Sequence, residues 1–401
     1  DRRGRMPKSR LESRSEAGVA KIGNFFSGIF SNGMGGKNKI LGLLVLVIIV
    51  LGGLIFFANS NRAEQEKLQA LDKVLSGVKD RVAEAETKGS YDKEKAKEIL
   101  DRAYLDAKSV LDSGFYRDKA TIYLSQIDET RDKLDNVKRV DTPKVLADLS
   151  KKRADVNALG FVQLGDRVFV FESDGLYEIV LDQVQDPLTI DDKEQIIAAT
   201  GFDERNSVVF LTKTGKLIEF KDGTVSFMDS EDGAFRKGDA IADWSNRIYV
   251  LDSGGNQIWK YTYKGTLNKF GTAESYIADK TDISKARDLT IDSNVYVLEN
   301  SGDILKFYGG NKAEFFINNP PFTMFKDPSV IYTDEKLDNV YVVDAKEARV
   351  LTYQKDSKSG NLIYVSQYLF DGVEEIRDLY VNADSKKMYV LTSNKILEVE
   401  I

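Results

Sequence analysis

Six times along this chain, a short apolar strand bearing Tyr or Phe is followed by a turn and then by a second apolar strand, aromatic in five of the six. The copies are Arg167–Phe171 with Leu176–Val180, Ser207–Leu211 with Lys216–Phe220, and Arg247–Leu251 with Gln257–Tyr261. They continue with Asn294–Leu298 and Asp303–Phe307, Asn339–Val343 and Arg349–Tyr353, and Lys387–Leu391 and Lys395–Val399. Counted from the first apolar residue of each (Val168, Val208, Ile248, Val295, Val340, Met388), the periods are 40, 40, 47, 45 and 48 residues. β-Branched and aromatic residues suit a pleated surface packed on both faces. A unit of this size cannot bury both faces alone and needs a copy of itself on either side. Four short strands per 40–50 residues, repeated in this way, predict a mainly β fold: a six-bladed β-propeller.

The blades can be filled out from the same pattern. In the fourth, Asp288–Asp292 reads as the innermost strand, Asn294–Leu298 as the second, Asp303–Tyr308 as the third and Ala313–Ile317 as the outer one. The chain ends at Ile401, on the third strand of the sixth blade, which leaves an edge that must be paired. The strand-like segment 144–149, Lys144-Val-Leu-Ala-Asp-Leu149, precedes the first blade and is expected to supply the missing strand. The propeller is thus expected to occupy 144–401.

Ahead of it lies a different kind of sequence. Ile40–Ala58 is a run of nineteen residues without a charge. As a helix it would cover about 29 Å, the thickness of a bilayer's hydrocarbon core. A buried core helix and a cleaved signal peptide ending near Ala58-Asn59-Ser60 are the competing readings. Residues 1–39 form a basic tail of net charge +6, whereas the flank after the span is balanced. The positive-inside rule therefore places the N-terminus in the cytoplasm and the rest outside. Within that tail Ile22, Phe25, Phe26, Ile29 and Phe30 would share a helical face, although Gly23, Gly28, Gly33, Gly35 and Gly36 equally suit a flexible linker.

From 61 to 140 the spacing is helical. Leu68, Leu71, Leu75, Val78, Val82 and Ala85 form one seam, and Ala96, Ile99, Ala103, Ala107 and Val110 a second. A third helix is read from about Tyr116 to Lys138, with Ala120, Tyr123, Ile127, Leu134 and Val137 inward. Short connections favour a helical hairpin or three-helix stalk; a dimerising coiled coil through these seams is the alternative.

Composition narrows the chemistry. The chain has no Cys and no His, which removes disulfides, thiolate and imidazole metal sites, cysteine nucleophiles and the Ser-His-Asp triad. The residues after 39 carry −13, so the body lacks the clustered cations that nucleic acid requires. The chain opens on Asp1 rather than Met, which leaves room for an upstream domain.

The segment Asn246-Arg-Ile-Tyr-Val-Leu-Asp-Ser-Gly-Gly-Asn-Gln-Ile-Trp-Lys-Tyr261 resembles NHL repeats and the wider TolB-like group of six-bladed propellers. The resemblance covers about 144–401 and implies architecture more than activity. That group includes scaffolds, receptors, RNA binders, hydrolases and lyases. Its hydrolases hold a metal with acidic and Asn side chains in the channel; its lyases use His, which this chain lacks.

Propellers bind at the mouth of the central channel, where loops lead into the innermost strands. Asp239, Asp288 and Asp378 stand there, with Asp155 and Asp327 as counterparts and Arg287 and Arg377 beside two of them. Convergent carboxylates would suit Ca²⁺, with Asp288 and Asp378 as the foremost ligands, or a cationic ligand. Alternatively each Asp caps loop amides. Trp244, Trp259, Tyr261 and Tyr263 suit a glycan or peptide surface, and the loop Asn319–Phe325 suits a contact. Tyr249, Tyr296, Tyr341 and Tyr389 read as packing between blades. Taken together, the sequence reads as a membrane-anchored, extracytoplasmic binding or scaffold module of the bacterial envelope, without enzymatic activity. A Ca²⁺-dependent hydrolase and the sensor half of a signalling protein are the rivals.

Overall fold

The computed structural model describes residues 36–401 except 166, 181–182, 191–192 and 323; the side chains of 36–46, 49, 52–61 and 63 are likewise not described. The amphipathic stretch Ile22–Phe30 and most of the basic tail lie outside these residues. Two compact units are present: Asp1–Arg81 with Arg102–Leu124, and Val82–Asp101 with Ser125–Ile401.

Three helices precede the sheets: α1 (Gly36–Gly89), α2 (Lys93–Asp112) and α3 (Arg117–Leu134). Among the described residues, no helix is long and apolar enough to cross a membrane; most side chains of Ile40–Ala58 fall outside them. In the first unit Leu75, Val110 and Ala120 are buried, with Leu71, Val74, Leu111, Tyr116 and Tyr123 packed around them. Arg81–Asp106 (2.5 Å) and Lys119–Asp72 (3.0 Å) link the helices at the surface. In the second unit Val82, Ala85, Ala96, Ile99, Leu100 and Ile127 are buried. Asp92 caps α2, its carboxylate accepting from the Lys95 amide at 2.9 Å.

The third helix is shorter than its apolar spacing suggests. It stops at Leu134, Asn136 takes a left-handed conformation (φ 48°), and Val137–Val140 is a β-strand. That strand pairs in parallel with Gln367–Phe370, so Val137 belongs to a sheet and not to a helical seam. β-Branched Val at both ends of a four-residue segment lets the sheet edge win over helix propensity.

Six sheets follow, one per repeat. Their innermost strands are Gly160–Leu164, Ile196–Phe202, Ala240–Trp244, Ala286–Ile291, Pro328–Tyr332 and Asp378–Asn382, each running antiparallel to the next strand outward. In the fourth blade the outer strand is Asn311–Lys312, not Ala313–Ile317. Gly309 and Gly310 both have positive φ (58° and 85°), so the chain reverses at once after Tyr308. Ile317–Asn318 instead pairs with Leu362–Ile363 of the fifth blade.

Both faces of a blade are apolar, and each is buried against a neighbour. Phe169 and Phe171 meet Phe210 and Val208; Val209 and Leu211 meet Ile248 and Val250; Tyr249 and Leu251 meet Leu289 and Val297. Tyr296 and Leu298 meet Val340 and Val342, and Tyr341 and Val343 meet Leu379 and Val390. At the last seam Tyr380 and Leu391 meet Val170 and Tyr177. Tyr249, Tyr296 and Tyr341 are core residues of these seams, and Tyr389 packs beside the last.

The sixth blade takes its outer strand from the start of the propeller. Lys144–Asp148 pairs antiparallel with Lys395–Glu400. In that pairing Val145 faces Leu397, yet Val145 is 49% exposed and Leu397 only 3%. Leu397→Ala is therefore expected to cost about 2–5 kcal/mol and Val145→Ala less than about 1 kcal/mol. Urea unfolding midpoints at matched slope measure both; equal shifts would mean that this seam is not packed as described.

Candidate channel site

The register of each innermost strand against its neighbour shows which positions are equivalent. Asp288 lies opposite Leu298, and Asp378 opposite Leu391. The matching residues elsewhere are Gly160, Ala198, Ala240 and Val330. Two blades of six thus carry a carboxylate at this position. Asp239 is one residue out of register and caps a loop of its own blade, accepting from the Ser253 amide (3.1 Å) and hydroxyl (2.5 Å). Asp155 is exposed and paired with Arg153 (3.1 Å). Asp327 is held by Arg287 (2.8 Å) and Lys346 (3.3 Å). Arg377 pairs with Glu375 at 3.0 Å, and its Nε is buried without a partner.

Asp288 and Asp378 are both bound to backbone amides. Each reaches across to the next blade. Asp288 accepts from the Ile331 amide of the fifth blade at 2.9 Å. Asp378 accepts from the Phe161 amide of the first blade at 2.6 Å and from its own neighbour Leu379 at 2.7 Å. Each innermost strand is paired only with the second strand of its own blade, so its channel-facing edge has amides to spare, and a carboxylate from the neighbouring blade meets that need. Gly160 makes room for one of these bonds: a Cβ there would lie 2.7 Å from the Asp378 Oδ2 and 2.7 Å from the Phe171 ring. Gly201 serves the adjoining seam in the same way, since a Cβ there would collide with the Gln163 carbonyl oxygen.

A third carboxylate of this kind, Asp243, is not a candidate on the sequence pattern alone. It accepts from the Thr200 hydroxyl of the second blade at 2.9 Å. The signal was available in Ala240-Ile-Ala-Asp-Trp244, an acid inside an otherwise apolar strand. Thr290 and Thr333 add to the seam between blades four and five: the Thr290 hydroxyl donates to the Thr333 carbonyl at 2.8 Å and accepts from the Thr333 amide at 3.2 Å.

These three acids retain a little contact with the channel yet have protein on every side, and desolvation pushes each up to about 7. The amide bonds oppose this shift at Asp288 and Asp378, and the charge of Asp288 adds to it at Asp378. At Asp243 the Thr200 bond opposes and the charge of Asp203 adds. Among the described residues no group of three or more carboxylates converges to hold a metal ion. The chemistry on offer is polar recognition and proton binding near neutrality. Of the aromatic candidates, Tyr261 is fully buried, its hydroxyl accepting from the Arg236 amide at 2.8 Å. Trp259 donates to Asp252 at 3.0 Å beneath the Arg236 guanidinium, and Tyr263 is buried among Phe202 and Phe270.

No protein-family model matches the sequence, and no curated protein matches it. Among solved structures, the WD40 β-propeller domain of Doa1 is similar at 12% identity and TM-score 0.42, over 64% of this chain and 96% of that one. YCF48 bound to a D1 peptide is similar at 10% identity and TM-score 0.40, over 65% and 96%. A functionally unknown protein from Desulfotomaculum acetoxidans is similar at 14% identity and TM-score 0.42, over 59% and 78%. At these values the likeness carries no functional information.

Two outcomes are expected at the seams. The folded state holds protons on Asp288 and Asp378 up to about pH 7, whereas the unfolded chain releases them near pH 4. The native state therefore binds more protons in that window, and stability falls as pH rises through it, by roughly 1–3 kcal/mol per carboxylate. Asp288→Asn and Asp378→Asn keep the acceptor oxygen and should flatten this slope, raising stability at pH 8; denaturation curves at pH 5 and 8 measure it, and an unchanged slope would refute it. Gly160→Ala should destabilise by about 1–3 kcal/mol through the clash with Phe171 and the displaced Asp378, read as a lowered urea midpoint.

Proposed function

We propose that the protein is a single-pass, membrane-anchored binding module that presents its propeller outside the cytoplasm of a bacterial cell. The observation that carries the anchoring is the environment of the first helix: Val47, Ile48, Val50 and Leu51 are all exposed, on positions that span about 160° of its circumference. Four neighbouring apolar residues exposed over so wide an arc call for an apolar surrounding, and they sit within a charge-free run of bilayer length. The basic flank before the run supports a cytoplasmic N-terminus.

The binding role is supported by what the ring brings together. Six blades surround one channel, and we take its mouth as the binding surface, with Asp288, Asp378, Arg287 and Arg377 on blades four and six as the polar groups nearest to it. Polar groups of both signs around a channel suit recognition of a protein, glycan or small polar ligand. A chain without His or Cys and with its channel acids committed to neighbouring amides favours binding over catalysis. We place the propeller in the NHL and TolB-like group on the strength of the Asn246–Tyr261 repeat, and assign the helical stalk the role of spacer, with self-association through its seams as a further property.

Expression of the chain in a bacterial host tests the anchoring. It should remain in the membrane fraction after an alkaline carbonate wash, and protease added outside spheroplasts should digest the propeller. Val47→Asp combined with Leu51→Asp should release it, since each acid at the centre of a span costs about 2.5–3.5 kcal/mol. Recovery of the unaltered chain in the wash would sink the reading. For binding, glycan and peptide arrays probed with the displayed propeller should yield ligands whose affinity falls about tenfold or more on Arg377→Glu.

A further inference from the structure

Between the last stalk helix and the ring-closing strand lies a dense set of attachments that ring closure does not need. At the foot of α3, Asp135 is only 1% exposed. Its carboxylate pairs with Lys93 at 2.8 Å and accepts from the Phe322 amide at 2.9 and 3.0 Å. Its carbonyl accepts from the Tyr364 hydroxyl at 2.5 Å. The Lys93 ammonium lies over the rings of Phe322 and Tyr364, at 5.0 and 4.8 Å. One residue on, the Asn136 amide side chain donates to the Val365 carbonyl at 2.9 Å. Val137–Val140 then pairs with Gln367–Phe370 along the outer edge of the fifth blade. Two of its side chains tie in as well: Lys138 donates to the Tyr368 hydroxyl at 2.7 Å, and Arg139 bridges Asp132 (2.6 Å) and Asp371 (3.3 Å). Behind the fifth blade's edge, Arg349 is buried between Asp344 (2.8 Å), Gln367 (3.0 Å) and the Met324 carbonyl (2.7 Å).

The order of these contacts along the chain is what matters. Lys144–Asp148, whose removal would open the ring, comes immediately after them and belongs to a different blade, the sixth. Tension that enters from the stalk must pass Asp135 and Val137–Val140 before it reaches the closing strand. Of the segment's side chains Val140 packs against the core between the fifth and sixth blades, and an outer strand added in parallel is an uncommon way to extend a four-stranded blade. We infer that the segment Asp135–Val140, docked on the fifth blade with Lys93, is a mechanical clamp that passes tension from the stalk into the body of the propeller and shields the closing strand on the sixth blade from it. The source of such tension is the anchor proposed above, so the clamp's use in the cell rests on that reading. Its mechanical property does not.

An optical trap tests it on the full chain in detergent micelles. The absence of Cys lets two substitutions, Ser125→Cys on the exposed side of α3 and Thr224→Cys on the exposed outer strand of the second blade, serve as unique handles. Under constant force, release of residues 135–143 lengthens the tether by at most about 3 nm, whereas loss of a blade gives a far larger step. The large step is expected only after, or together with, the small one. Lys138→Pro combined with Arg139→Pro removes an inter-strand donor whichever of the two faces the blade, and should shorten the time to the large step about tenfold or more at the same force. Lys93→Gln, which leaves the strand untouched, should shorten it by a smaller factor and guards against a proline variant that fails to fold. Large steps that occur while the 3 nm segment is still docked, or dwell times unchanged in both variants, would overturn the clamp. Failure of the carbonate and protease tests with these dwell times intact would remove the anchor and leave the clamp standing.

Discussion

Everything in the propeller depends on one antiparallel pairing, that of Lys144–Asp148 with Lys395–Glu400. A blade is a small twisted sheet with two apolar faces, and each face is solvent-exposed until a neighbour covers it. In an open row of six, the first and last blades would each leave one such face bare. Closing the ring buries Tyr380 and Leu391 of the sixth blade against Val170 and Tyr177 of the first, and it does so with a strand drawn from the other end of the fold. The seam is thereby tied covalently to the first blade. Its stability is joined to that of the other five, which is why a cooperative ring is the expected unit of unfolding.

The seams also explain the polar residues of the channel. Aliphatic and aromatic side chains fill the space between blades, but at the axis the innermost strands of different blades are not paired with one another. Asp288, Asp378 and Thr290 span those gaps, and Gly160 and Gly201 let strands approach where no side chain fits. The cost of this solution is an acid in a desolvated place, which the usual remedy, retention of a proton, relieves only below neutrality. A channel built in this way is a structural axis first, and any ligand has to be recognised at its mouth by groups that are not already committed.

How much of this was legible in the sequence follows from which interactions are local. The second and third strands of every blade are hairpins with strong β-formers, and their period alone carried the blade number. Tyr249, Tyr296 and Tyr341 could be assigned to packing because they recur at one position of the repeat. The failures share a cause as well. Val137 continues a helical spacing, and its strand is fixed by Gln367–Phe370, some 230 residues away. Asp239 looks equivalent to Asp288 in sequence, but the turn between the first two strands differs in length from blade to blade, and only the pairing gives the register. Asp243 does mark its own strand, as an acid among apolar residues, but its partner Thr200 lies on another blade and only the fold pairs them.

The position of the closing strand has a consequence for synthesis. Lys144–Asp148 leaves the ribosome ahead of all six blades, and its partner Lys395–Glu400 is made almost 250 residues later. At about 5–20 residues per second the strand waits tens of seconds for it. Throughout that time it is an unpaired edge, a template for strands of other nascent chains. Its composition meets the hazard: it is five residues long, follows Pro143 and has Lys144 and Asp148 at its ends. The docked segment just before it, once the fifth blade exists, would hold it beside its eventual place, so that the final residues need find a partner only over a short distance. Quality control is built into the same arrangement, because a chain that stops short of Lys395–Glu400 has every blade's sequence nearly complete and no closed ring.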